Sequence, residues 1–116
     1  MSINKLRAEK ILLLNGKEYK ARMSLDTIMK VESALNCSIL KVGNKLASAD
    51  MTLSQVIQII YYGLRGGGND VKETDVKAIV SELGLIEAIK TAGELVTLAL
   101  NIDTDEEVDS EKKSET

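Results

Sequence analysis

The sequence predicts an α+β domain that is mainly α, with an N-terminal β-hairpin packed on about five helices and a disordered acidic C-terminal tail. Three observations support this fold class. The chain of 116 residues contains no proline, so no helix carries a built-in break. An Asn-Gly pair lies between two short apolar arms, and helical spacing of apolar residues follows it. The length suits a single domain over 1–101, before a tail over 102–116.

Residues 8–23 predict the hairpin. Asn15 and Gly16 separate its two arms, and both residue types tolerate the positive φ angles of a type I′ turn. Apolar and charged residues alternate on the second arm, which marks one of its faces for burial. The apolar positions of that arm are Tyr19, Ala21 and Met23. Because a two-stranded hairpin is marginal alone, we expect it to pack on the helices.

Two helices are predicted next, over about 25–36 and 39–48. Ser24 and Ser38 are in position to cap them, and Asn36 tolerates the left-handed conformation of a helix end. Apolar stripes predict the sides that face the core. The helical stripe of the first helix consists of Leu25, Ile28, Met29, Glu32 and Leu35, which are apolar apart from Glu32, and the apolar stripe of the second consists of Ile39, Val42 and Leu46.

Three further helices are predicted over about 53–65, 74–83 and 85–101, the first two capped by Thr52 and Thr74. The helix over 53–65 is apolar on nearly every side, so it lies in the centre of the core or presents a surface to a partner. Three consecutive glycines after it predict a flexible connector. In the last helix the residues expected to be buried are Ile86, Ile89, Leu95 and Leu98.

Charge is concentrated at the C-terminal end. From Asp103 to Thr116 seven acidic residues face two lysines, a net charge of −5, which leaves +2 for the remainder of a chain whose total is −3. Such a tail buries too little to offset its conformational entropy, so we expect disorder. The rest offers no concentrated basic face, so we expect no nucleic-acid partner. The first apolar run, Ile11 to Leu14, is too short for a secretory or membrane-spanning segment, and no membrane partner is expected.

The residue inventory argues against catalysis. The chain has no histidine and one cysteine, which excludes most catalytic triads and any Cys/His zinc site. Cys37 is therefore expected to be a small buried hydrophobe. The glycines at 66–68 follow a predicted helix and lack the lysine of a phosphate-binding loop. We expect no catalytic residue, no cofactor and no metal, and hence no enzyme.

A protein-binding surface remains, and the helix over 53–65 is its predicted location. Adjacent tyrosines on a helix point about 100° apart, so at least one of Tyr61 and Tyr62 should reach the surface. The alternative for the neighbouring isoleucines is plain core. The predicted partner-binding residues are Met51, Ile60, Tyr61, Tyr62 and Leu64.

The motifs together resemble a known family. The segment LNGKEYKARMSLDTIMKVESALNCSI, then GLRGGGN, then SELGLIEAIKTAGELVTLAL is similar to the small tail proteins of gene transfer agents and phages, labelled tail-assembly chaperones or tail tube proteins. The resemblance covers about residues 8–101. A glycine is usual after Leu35 in such proteins; here Asn36 stands in its place.

This resemblance implies a function in the cytoplasm of a bacterial host cell. A tail-assembly chaperone would bind the tape measure protein, or another tail protein, and keep it soluble while the tail forms. The same interpretation allows a homo-oligomer. The first alternative is a structural tail tube or tail-completion protein, which normally needs more β-sheet than one hairpin. The second is a helical adaptor or regulator unrelated to phage.

Overall fold

The structure, a computed structural model, describes residues 3–4 and 8–101. A small antiparallel sheet precedes five helices, as the sequence predicts, and the predicted tail lies outside the described residues. The strands are β1 (Ile3–Asn4), β2 (Glu9–Leu14) and β3 (Lys17–Arg22), in that order across the sheet. The helices are α1 (Leu25–Leu35), α2 (Ile39–Ala47), α3 (Leu53–Gly66), α4 (Glu73–Leu83) and α5 (Leu85–Leu100).

The hairpin of β2 and β3 has the predicted turn. Asn15 and Gly16 have φ angles of 54° and 80°, and Leu14 pairs with Lys17 across a two-residue loop. One face of the hairpin is buried through Leu12 and its neighbours, while the opposite face is exposed. The sequence did not predict β1, whose two residues pair with β2 and are too few to give a periodic signal.

Hydroxyl caps start the first three helices, and all three were predicted. The side chains of Ser24, Ser38 and Thr52 accept hydrogen bonds from backbone N–H groups three residues further on. Asn36 ends α1 in the left-handed conformation at a φ of 56°, which explains why it can replace a glycine there.

The predicted cap of α4 is wrong. The helix begins at Glu73, and Thr74 lies inside it. The first turn is instead closed by Asp75, whose Oδ2 accepts the backbone N–H of Lys72 over 2.8 Å. An acidic residue in the first turn also meets the positive end of the helix dipole.

The core forms around α3, which packs against α1, α4, α5 and β3. Ile59, Ile60 and Leu64 have no exposed surface. A helix that is apolar on most sides can lie in the centre of a core or face a partner, and here it lies in the centre. Its contact with α5 is close, because a Cβ atom placed on Gly63 would lie 2.8 Å from Leu95 Cδ1.

The glycines after α3 form a packed junction, so the flexible connector predicted for them is wrong at its first two positions. A Cβ atom on Gly66 would lie 2.5 Å from the backbone oxygen of Arg22, and one on Gly67 would overlap the backbone oxygen of Lys20. Glycine is needed here because two backbones approach directly. Next to them, Asn69 Nδ2 donates to Lys20 O over 2.6 Å. The end of α3 is therefore fixed to β3.

Several residues predicted to be buried lie at the surface. Leu25, Met29 and Ile86 are exposed, and Ile89 is only half-buried. Each lies beside the buried side of its helix. In α1, Thr27 takes one of the buried positions instead. Neighbouring elements cover only part of each apolar stripe, and periodicity alone does not show where that cover ends.

Candidate protein-binding surface

Two of the five predicted partner-binding residues belong to the core. Ile60 and Leu64 are four positions apart on α3, so they share one side of the helix, and both are fully buried. Neither has any surface to offer a partner in this fold, and the prediction for these two side chains is corrected. The core alternative considered for the isoleucines holds for Ile59 and Ile60.

The tyrosines are half-buried and contact other parts of the same chain. The rings of Tyr61 and Tyr62 pack edge to face, with centroids 5.0 Å apart and planes at 71°. The guanidinium of Arg65 lies 5.8 Å from the centroid of Tyr61. Arg65 Nη1 also donates to Val71 O over 3.1 Å. Through Arg65, this side of α3 therefore holds the α3–α4 loop. Only part of the surface of the two tyrosine rings remains accessible. Met51, before α3, is also half-buried against the core.

A larger apolar surface lies at the other end of α3. A cleft of about 640 Å³ opens between the first turn of α3, the length of α4 and the start of α5. Leu53 and Leu85 line it with 48% and 53% of their surfaces exposed. Ile57 and Val80 form its buried floor. We call this feature the α3–α5 cleft.

The charged rim of the α3–α5 cleft is sparse. Glu73 accepts a hydrogen bond from Gln58 Nε2 over 2.8 Å, which ties the start of α4 to α3. Lys77, one turn further along α4, also lines the cleft. An opening lined by aliphatic side chains with few ionic groups can hold an apolar segment, and it offers no converging set of acids and bases.

The break between α4 and α5 shapes this cleft. Gly84 has a φ of 89°, which side-chain-bearing residues rarely adopt, and α5 starts at the next residue. The chain therefore turns sharply and sets Leu85 at the rim. The predicted helix bounds, 74–83 and 85–101, place this break correctly, but they do not predict the cleft, because a cleft depends on the relative placement of three helices.

Other polar residues singled out in the sequence have structural roles. Glu32 Oε2 accepts the backbone N–H of Ile39 over 2.9 Å, so the carboxylate caps α2 together with Ser38. Cys37, expected to be buried, is half-buried in the α1–α2 turn. Within residues 3–4 and 8–101, no three or more His, Cys, Asp or Glu residues are grouped so that they could hold a metal ion. None of the described helices is long and apolar enough to cross a membrane.

Comparison with protein families gives a match that spans nearly all of the residues the structure describes. Residues 7–101 match the model of the family described as phage tail tube protein, GTA-gp10. The chain belongs to this family. The resemblance seen in the motifs is thereby confirmed, and the chain is a phage tail-related protein. Comparisons of this tail protein with the curated proteins and with the solved structures gave no match.

Proposed function

We propose that the chain is a non-enzymatic tail-assembly chaperone that binds apolar segments of the tape measure protein and keeps them soluble in the bacterial cytoplasm. The observation that carries the proposal is the α3–α5 cleft, an aliphatic opening on a helical domain of a phage tail family. Leu53 and Leu85 would supply the exposed contact surface, and Ile57 and Val80 the floor.

The chemistry of the cleft favours a helical guest. An amphipathic helix can lay its apolar side between two leucines on facing helices, with its polar side left in water. Fully burying an exposed leucine contributes about 1.5–3 kcal/mol, and about half of the surface of Leu53 and Leu85 is already covered within the chain. The free energy gained when one apolar segment binds in the cleft is therefore modest. Reversible binding is what a chaperone requires, since its guest must be released into the growing tail.

Charge gives further support. The segment from Asp103 to Thr116 carries a net charge of −5 and follows directly after the folded domain. A strongly charged segment keeps a complex soluble while apolar surface is being masked, because like charges on different complexes repel one another.

Co-expression with the tape measure protein tests the proposal. We expect the tape measure protein to stay in the soluble fraction only when this chain is present, and to co-purify with it. An equally insoluble tape measure protein with and without the chain would contradict the chaperone function.

The second candidate is a tail tube subunit, which the description of the family favours. A tube subunit assembles with copies of itself into rings that stack. Electron microscopy of the purified chain distinguishes the two functions, because ordered rings or tubes formed without a partner would support the structural role.

A further inference from the structure

Of the three helices around the α3–α5 cleft, α4 buries the fewest residues. It buries two, Val76 and Val80, whereas α3 buries six and α5 seven. Local opening of a fold starts where few apolar side chains are buried. The residues of α4 that line the cleft are Glu73, Lys77, Val80 and Ser81. The width of the cleft therefore depends on the helix that burial holds least.

Both ends of α4 join the rest of the chain through lightly packed segments. The bond from Asn69 to β3 fixes the chain up to that residue. Residues 70–72 then lead into α4, and the side chain of Asp70 is fully exposed. At the other end, a Cβ atom placed on Gly84 would meet no atom within 4 Å. Helix α4 can therefore turn as a unit between these two joints while α3 and α5 stay in place.

The start of α4 is held by exposed hydrogen bonds from α3. Gln58 Nε2 donates to Glu73 Oε2 over 2.8 Å, and Arg65 Nη1 donates to Val71 O over 3.1 Å. Water competes for both groups of an exposed hydrogen bond, so its net contribution to stability is small. These contacts position the helix without locking it.

The end of α4 is held by the hairpin turn. Asn15 Nδ2 donates to Ile79 O over 3.1 Å, across 64 positions of the chain. Ile79 lies about 160° around the helix axis from Lys77, which lines the cleft. The hairpin therefore holds α4 from a different side than the one that faces the cleft. The turn itself does not need this bond, because aspartate or glycine before a glycine also forms a type I′ turn.

From these observations we propose that α4 is a hinged wall of the α3–α5 cleft and that the side chain of Asn15 is the latch that holds it. When the latch opens, α4 swings about residues 70–72 and Gly84. The cleft then widens and uncovers Val76 and Val80, which adds to the apolar surface that a guest can contact. The nature of the guest rests on the proposed chaperone function, whereas the movement of α4 is a property of this chain alone.

Native-state hydrogen exchange of the full chain, followed by NMR, tests the hinge. We expect amides in the second half of α4 to exchange through a local opening, and those in the middle of α3 only through global unfolding. Asn15→Asp removes the donor and keeps the turn, so it should raise exchange in α4 about 2- to 10-fold relative to α3. Asn15→Gly should act in the same direction without adding a charge. Asn44→Asp, at an exposed position on α2, is the matched control and should leave this ratio unchanged.

Binding of the apolar dye ANS tests the link between the latch and the cleft. If the dye binds the open form, its apparent affinity rises with the population of that form. The affinity should therefore be about 2- to 10-fold higher in Asn15→Asp than in the unaltered chain. Adding Leu85→Glu, inside the cleft, should remove this gain. Adding Leu25→Glu, which places the same charge on an exposed leucine outside the cleft, should preserve it.

Equal protection of α4 and α3 would overturn the proposal, because α4 would then open only with the whole domain. So would an equal change in both helices in Asn15→Asp, or a dye affinity that this substitution leaves unaltered. None of these measurements contains the tape measure protein. A tape measure protein that stays insoluble beside the chain would therefore contradict the chaperone function and not the latch.

Discussion

The side-chain amide of Asn69 donates to the backbone oxygen of Lys20 over 2.6 Å, across 49 positions of the chain. The same Nδ2 donates to Leu64 O over 2.9 Å, so one amide group joins the end of α3 to β3. Gly66 and Gly67 make this contact possible by keeping side chains out of the space between the two backbones.

Asn69→Asp should destabilise the domain by about 2 kcal/mol. The substitution keeps the shape of the side chain but removes both donors, and it turns a carboxylate oxygen toward two carbonyl oxygens. Urea denaturation measures the change in the free energy of unfolding. Asn44→Asp, at an exposed position in the last turn of α2, is the control and should cost clearly less, a few tenths to about 1 kcal/mol, because the new charge lies near the negative end of that helix. An equal effect of the two substitutions would show that the contact with Lys20 is unimportant.

Gly67→Ala should destabilise the domain by about 2–3 kcal/mol, because the added Cβ overlaps Lys20 O and the two backbones must separate. Gly93→Ala is the matched control. Its Cβ meets nothing within 4 Å, and alanine favours a helix by about 0.5–1 kcal/mol over glycine. In thermal unfolding at low protein concentration, the midpoint temperature should therefore fall for Gly67→Ala and rise for Gly93→Ala. A shift in the same direction for both variants would contradict the close packing of the two backbones at Gly67.

Leu64→Ala should lower the free energy of unfolding by about 2–5 kcal/mol, as expected when a fully buried leucine is truncated in a core. Tyr62→Ala should cost clearly less, because this side chain is only half-buried. Chemical denaturation of both variants compares the two effects. If Leu64→Ala were tolerated as well as Tyr62→Ala, the central position of α3 in the core would be wrong.

Glu32→Ala should destabilise α2 and lower the free energy of unfolding by about 1 kcal/mol. The backbone N–H of Ile39 loses its acceptor, and the positive end of the α2 dipole loses a nearby negative charge. Glu32→Gln keeps an acceptor oxygen and should lose less. Hydrogen exchange at the amide of Ile39 reports on this contact directly. Unchanged protection in Glu32→Ala would assign the whole cap to Ser38.

Leu85→Glu should reduce the amount of soluble tape measure protein in co-expression by several-fold while the chain itself remains folded. The added carboxylate lies in the α3–α5 cleft, at a position where the leucine is 53% exposed. It should therefore weaken the binding of an apolar segment more than it weakens the packing of the core. Leu25→Glu is the control, since Leu25 is also an exposed leucine at the first position of a helix and lies outside the cleft. If both variants solubilised the partner equally, the cleft would not be the binding surface.

Local signals in the sequence predicted the local structure well. Asn15 and Gly16, the hydroxyl caps and Asn36 each act within a few residues, so the residue type alone determines the conformation. The sequence also predicted that α3 would be apolar on nearly all sides. It did not distinguish a central helix from a binding helix, because that depends on which other elements cover it.

The binding surface was harder to predict for the same reason. Ile60 and Leu64 were selected for their hydrophobicity, which is also the property that buries them. Leu53 and Leu85 stay partly exposed because they line the opening between α3, α4 and α5, and the spacing of apolar residues within one helix does not show where such an opening lies. For Gly66 and Gly67, the reason for glycine lies in β3, more than 40 positions earlier in the chain.

The contact of Asn69 with Lys20 has a consequence for self-assembly. An edge strand can recruit a further strand only through backbone groups that point away from its own sheet, and on β3 the oxygen of Lys20 is engaged by Asn69 while Gly67 lies against it. Addition of a strand from another molecule at this position would first require the turn after α3 to detach. That requirement disfavours growth of the sheet into a larger β-structure from this side.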